Sequence, residues 1–122
     1  VGHTNNIEAM NILFVCTSNK DRSPALEKYF REKYPHHQYR SAGVNRFFTN
    51  KKNTHYLTET DIEWADMIVF AAKIHLQVVC RDFKPLTPSQ AFLILDLGDY
   101  KPGEITDLYL RKAELIIKPF LG

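Results

Sequence analysis

The chain reads as an α/β protein, a single three-layer domain whose open, four-stranded parallel sheet carries helices on both faces. Short apolar runs of β type alternate with segments of helical period along its 122 residues. That alternation builds parallel sheets through right-handed crossovers. The run at 67–71 is apolar without a break, as in strands buried on both faces. A chain of this length has room for one core.

The elements follow in order. A strand is expected at 11–15, where Ile12, Leu13, Phe14 and Val15 form a continuous apolar run. The first helix is expected at 23–34: Pro24 suits a first turn, Ala25, Leu26, Tyr29 and Phe30 mark a buried stripe, and Pro35 stops it. A short strand at 38–41 ends near Gly43. Residues 44–54 are polar, basic and loop-like. A short helix at 58–64 has Thr58 or Thr60 as its cap. After the strand at 67–71, a helix at 73–83 is closed by Pro85, with Val78, Val79 and Cys80 read as core. A fourth strand is expected at 91–95. The last helix, at 104–120, presents Ile105, Leu108, Tyr109, Ala113, Ile116, Ile117 and Phe120 on one face. Residues 1–9 are polar and patternless and read as a leader or expression remnant; the domain is 10–122.

Composition narrows the function classes. Hydrophobic content of 44% and charged content of 25% are ordinary for a soluble domain. A net charge of +2 is too small to argue for nucleic acid binding. No run has transmembrane length, so no membrane partner is expected. Two cysteines fit a reducing cytoplasm better than a disulfide scaffold. The adjacent pair His36-His37 does not converge like metal ligands on a helix face, and reads as a solvated loop; no metal or cofactor is implied.

The chemistry concentrates where the first strand meets the first helix, at Cys16-Thr17-Ser18-Asn19-Lys20-Asp21-Arg22-Ser23-Pro24. A helix N-terminus offers unpaired N–H groups and positive partial charge to an anion. Consecutive loop N–H groups make an anion nest. Arg22 can grip two phosphate oxygens at once. Cys16 in that field is expected to react as the thiolate. The bland alternative, a structural cysteine beside a surface arginine, leaves the conjunction of strand end, Cys, Arg-Ser and Pro unexplained.

This stretch resembles the signature loop of the low-molecular-weight protein tyrosine phosphatases, Cys-x-x-Asn-x-Cys-Arg-Ser-Pro. Arg40-Ser41-Ala42-Gly43 is similar to the Ser-Ala-Gly that follows their second strand. Residues 65–69 with His75 resemble their third strand and next helix, and Asp99 and Gly103 their acid loop. The chain is shorter than usual members and looks most like a compact branch of the family. The resemblance implies sheet order 2-1-3-4 and metal-independent hydrolysis of phosphotyrosine or a similar phosphate ester through a phosphocysteine. Cys16 is then the nucleophile, and Thr17, Ser18, Asn19, Lys20, Asp21, Arg22 and Ser23 bind phosphate. Ser23 is placed to hydrogen-bond the thiolate, with helix N-cap as its other role, and Asn19 to hold the loop. The partner is a phosphorylated protein or small phosphate ester; the sequence is silent on oligomeric state.

The leaving group needs a proton. The family supplies it from Asp-Pro-Tyr, but this chain has Asp96-Leu97-Gly98-Asp99-Tyr100. Counting back from the last helix favours Asp99; counting from the strand leaves Asp96 as the alternative. Phe47, Phe48 and Tyr56 can wall the substrate pocket, with Tyr100 opposite, or can form a small satellite core. Arg46, Lys51 and Lys52 lie where they would attract an anion. Asp21 replaces the family's second cysteine and is expected to point outward. Competing functions are a thiol-coupled arsenate reductase, for which only Cys80 remains as a second thiol, a phosphoryl carrier, and a non-catalytic phosphoprotein reader.

Overall fold

The computed structural model describes residues 8–98 and 104–122. Its elements are β1 (Asn11–Cys16), α1 (Arg22–Lys33), β2 (Gln38–Gly43), α2 (Arg46–Lys52), α3 (Glu59–Trp64), β3 (Met67–Phe70), α4 (Lys73–Asp82), β4 (Ala91–Ile94) and α5 (Asp107–Ile117), followed by a 3₁₀ turn at Lys118–Phe120. The four strands form one parallel sheet of order β2-β1-β3-β4. This is the expected architecture and order.

Strand alternation sends side chains to two separate cores. Ile12 and Phe14 of β1, with Met67 and Val69 of β3, face α1 and α5, where Leu26, Phe30, Tyr109, Ala113 and Ile117 cover them. Leu13 and Val15, with Ile68 and Phe70, face the opposite side and pack with Ile62 of α3 and Val79 of α4. Both central strands are therefore buried on both faces, which explains their unbroken apolar runs. The parallel register sets Cys16 beside Gly43, so the ends of β1 and β2 meet at one edge of the sheet.

Several expectations require correction. Residues 44–54 are not all loop: α2 forms there, capped by Asn45, whose Oδ1 accepts from the Phe48 N–H at 3.0 Å. Only Thr49 of α2 is buried, so no apolar period announced it. Ser23 is not an N-cap, because α1 begins one residue earlier and Asp21 holds the cap position. Cys80 is exposed, while its neighbour Val79 faces the core. Leu108 and Phe120 are each 53% exposed, so the buried stripe of α5 is Tyr109, Ala113 and Ile117 alone. His37 is buried and bonded on both ring nitrogens, not solvated. Thr58 caps α3 as expected, in a reciprocal box with Asp61.

Candidate active site

Cys16 closes β1 and is 2% exposed. The loop that follows is tied down through its carbonyls. Val44 N–H donates to the Cys16 carbonyl and Asn45 N–H to the Thr17 carbonyl, each at 3.0 Å, and the Thr54 hydroxyl donates to the Ser18 carbonyl. In a trans peptide the C=O of one residue and the N–H of the next point in opposite directions. The N–H groups of Thr17, Ser18 and Asn19 thus point away from residues 44–54, an arrangement suited to an anion nest.

Gly43 makes this close approach possible. A Cβ there would sit 2.7 Å from the Thr17 carbonyl oxygen and 2.8 Å from Asn19 N, both backbone atoms. No side chain fits at such a distance, which gives the Ser-Ala-Gly segment its physical reason.

Behind the loop runs a directed chain of hydrogen bonds. Ser41 Oγ donates to Glu27 Oε1 at 2.6 Å, since a carboxylate only accepts. Ser41 then accepts from Asn19 Nδ2 at 2.9 Å, and the same amide donates to Ser23 Oγ at 2.9 Å. Asn19 Oδ1 accepts from the His55 N–H at 3.2 Å, which fixes the orientation of the amide. The Ser23 oxygen is thereby supplied with a donor, and its own hydrogen is left for Cys16 Sγ at 3.0 Å or the Ala42 carbonyl at 3.5 Å. The shorter contact, to sulfur, is the better one. Asn19 takes φ 54°, a left-handed conformation that Asn tolerates, and is buried where it joins these groups.

The opposite side of the loop is held by a residue that the sequence marked only by position. His75 in α4 is 2% exposed. Its Nδ1 accepts from the Ala72 N–H at 3.0 Å, so Nε2 carries the hydrogen and donates to Thr17 Oγ1 at 2.9 Å. Arg22 Nη2 lies 3.5 Å from the same oxygen. Burial, together with the nearby Arg22 guanidinium, pushes the His75 imidazolium down to about 4, with Asp96 partly opposing. A neutral imidazole beside an anion site leaves the positive charge to Arg22. No periodicity could have revealed this contact; it arises because β3 lies next to β1 in the sheet.

The remaining predicted residues fall as follows. Lys20 is exposed, and Ser18 and Asp21 are half-buried. Phe47 and Phe48 stand on α2 at 67% and 41% exposure with rings in edge contact, not in a satellite core. Tyr56 lies half-buried between Phe83 and the Arg46 guanidinium. Asp96 has φ 45°, and its Oδ1 accepts from the Lys73 N–H at 3.1 Å, at the start of α4. Asp99, Tyr100 and Gly103 lie outside the described residues. The second thiol, Cys80, is on the exposed side of α4.

Comparison with known proteins meets this geometry at one point. The low molecular weight protein-tyrosine-phosphatase PtpB of Staphylococcus aureus is 31% identical over 129 aligned positions, covering 91% of this chain and 89% of the relative. The chain belongs to the low-molecular-weight protein tyrosine phosphatase family. Among solved structures, the family member from Tritrichomonas foetus superposes with a TM-score of 0.70 at 23% identity, covering 93% of this chain and 94% of that one. The YwlE arginine phosphatase from Geobacillus stearothermophilus does so with a TM-score of 0.61 at 22% identity, covering 92% and 90%. These two likenesses establish the phosphatase fold. No protein-family model matches the chain.

Proposed function

We propose that this protein is a cysteine-dependent protein tyrosine phosphatase that works through a phosphocysteine. The observation that carries the reading is the Ser23 hydroxyl, 3.0 Å from Cys16 Sγ and oriented by Asn19. A structural cysteine needs no such donor. A thiolate that attacks in one step and leaves in the next is stabilised by it in both.

Cys16 Sγ attacks phosphorus in line, forming the S–P bond as the bond to the leaving oxygen breaks. Arg22 and the loop N–H groups hold the three equatorial oxygens while charge spreads over them. Asp99 gives its proton to the leaving phenolate, then takes one from the water that cleaves the S–P bond. Asp96 is a weaker candidate because its carboxylate is engaged at the start of α4. Phe47 and Phe48 are assigned to one wall of the substrate pocket and Tyr100 to the other. An arsenate reductase relay is disfavoured because the other thiol, Cys80, lies on the exposed face of α4. The working compartment follows from composition alone and is assigned to the cytoplasm. Among the described residues, no helix is long and apolar enough to cross a membrane.

The test combines three substitutions. Cys16→Ser is expected to abolish hydrolysis of phosphotyrosine while leaving the fold intact. Asp99→Asn is expected to slow an aryl phosphate with a poor leaving group far more than one with a very good leaving group, and Asp96→Asn to show no such dependence. Near-normal turnover in Cys16→Ser would refute the mechanism. Reversed behaviour of the two aspartates would move the acid role to Asp96.

A further inference from the structure

A groove of about 360 Å³ opens beside the signature loop. Its lining includes Thr17, the residue after Cys16, together with Arg46 and Tyr56, and Ile74, Arg81 and Asp82 of α4. Through Thr17 and His75 the groove adjoins the signature loop.

The charges along the groove are not equivalent. Arg81 is consumed by its neighbour, with Nε and Nη2 each 2.8 Å from an oxygen of Asp82. Arg46 has no carboxylate partner among the described residues. Its guanidinium is instead laid over the Tyr56 ring, 4.8 Å from the centroid. That ring is itself fixed, packed on Phe83 at 5.5 Å, while the Tyr56 backbone bridges to Gly43. An arginine stacked on an aromatic face has lost part of its rotamer freedom and keeps its N–H edge for a planar anion. Two guanidiniums and one carboxylate leave a single net positive charge, and it resides on Arg46.

We propose that this groove is a subsite for a carboxylate side chain next to the phosphorylated residue, with Arg46 as its specificity determinant, so that acidic phosphopeptides are preferred. The proposal rests on the phosphatase reading and adds the substrate's character to it. The carboxylate pairs with the Arg46 N–H edge in two parallel hydrogen bonds. A lysine neighbour would meet like charge in the same groove. Because the groove is open to solvent, the preference weakens as salt rises.

Six phosphotyrosyl peptides, with Glu, Gln or Lys on one side of the phosphotyrosine or the other, test this by kcat/KM. The wild-type protein is expected to favour Glu over Gln about fivefold on one side, the size of an exposed charge-assisted pair, and to handle Lys worst. Arg46→Gln is expected to erase the Glu-to-Gln ratio. Asp82→Asn frees Arg81 and is expected to enlarge it. Binding of the same peptides to Cys16→Ser reads the ratio without turnover. Equal binding of Glu and Gln peptides, or an unchanged ratio in Arg46→Gln, would overturn the subsite. Preferential binding of the Glu peptide without hydrolysis by the wild-type protein would retain the subsite and sink the hydrolase.

Discussion

His75 shows how one buried side chain links the site to stability. Its imidazole is neutral in the folded protein until the pH reaches about 4, whereas an exposed histidine takes up its proton near 6.5. Between those values the unfolded chain binds a proton that the folded chain refuses. Stability therefore falls as the pH drops through this window and is unaffected by His75 above it. The shift corresponds to roughly 3 kcal/mol across the window. His75→Gln removes the titration, so denaturation curves from pH 7 to 4 should be markedly flatter for the variant than for the wild type. Parallel curves would mean that His75 takes up its proton equally well in the folded and unfolded chain. At this scale the sequence was informative about the signature loop, because Cys16, Asn19, Arg22 and Ser23 are neighbours along the chain. It was uninformative about His75, whose partner Thr17 is 58 residues away and is reached only through strand pairing.

At the scale of elements, α1 and α5 are joined by a single carboxylate. Glu114 of α5 accepts from Tyr29 Oη at 2.6 Å and from Tyr34 Oη, and pairs with Lys33 Nζ at 3.0 Å. The Tyr29 and Tyr34 hydroxyls, then Lys33, hold its carboxyl down to about 2. A carboxylate depressed in the fold contributes stability that is present above its ordinary value and lost as pH falls toward the folded one. Acid unfolding between pH 4.5 and 2 should therefore be shallower in Glu114→Gln than in the wild type, measured by thermal melts across that range. His75 acts mainly above this window, so the two substitutions separate on the pH axis. Periodicity found α1 and α5 but overextended α5 at both ends, since Ile105, before the helix, and Phe120, in the 3₁₀ turn after it, both fit the helical stripe. It missed α2 for the opposite reason. A seven-residue helix with one buried side chain has no stripe to read, and its signal is the Asn45 cap.

The whole molecule keeps its chemistry and one of its fastenings at opposite ends of the sheet. The signature loop sits at the carboxyl ends of the strands, where open parallel sheets bind ligands. That placement was legible because it needs only the order of elements. About 20 Å away along β1, at roughly 3.3 Å per residue, His37 fastens the other end. Its Nδ1 accepts from the Met10 N–H at 2.9 Å, so its Nε2 hydrogen goes to the Leu121 carbonyl at 3.0 Å. The entry to β1 and the last turn of the chain are thereby held together by one imidazole, 6% exposed. The pair His36-His37 looked like a solvated loop because burial of His37 depends on the chain terminus folding back over it. His37→Ala removes both hydrogen bonds and leaves two backbone groups to be rehydrated, at a cost of about 2–3 kcal/mol. The expected result is a lower denaturation midpoint with an unchanged slope, since the unfolded state and the surface exposed are nearly the same. Turnover below the melting temperature should stay at the wild-type level, because no atom of the signature loop touches this end. A fall in kcat in fully folded His37→Ala would show that the two ends of the sheet are coupled.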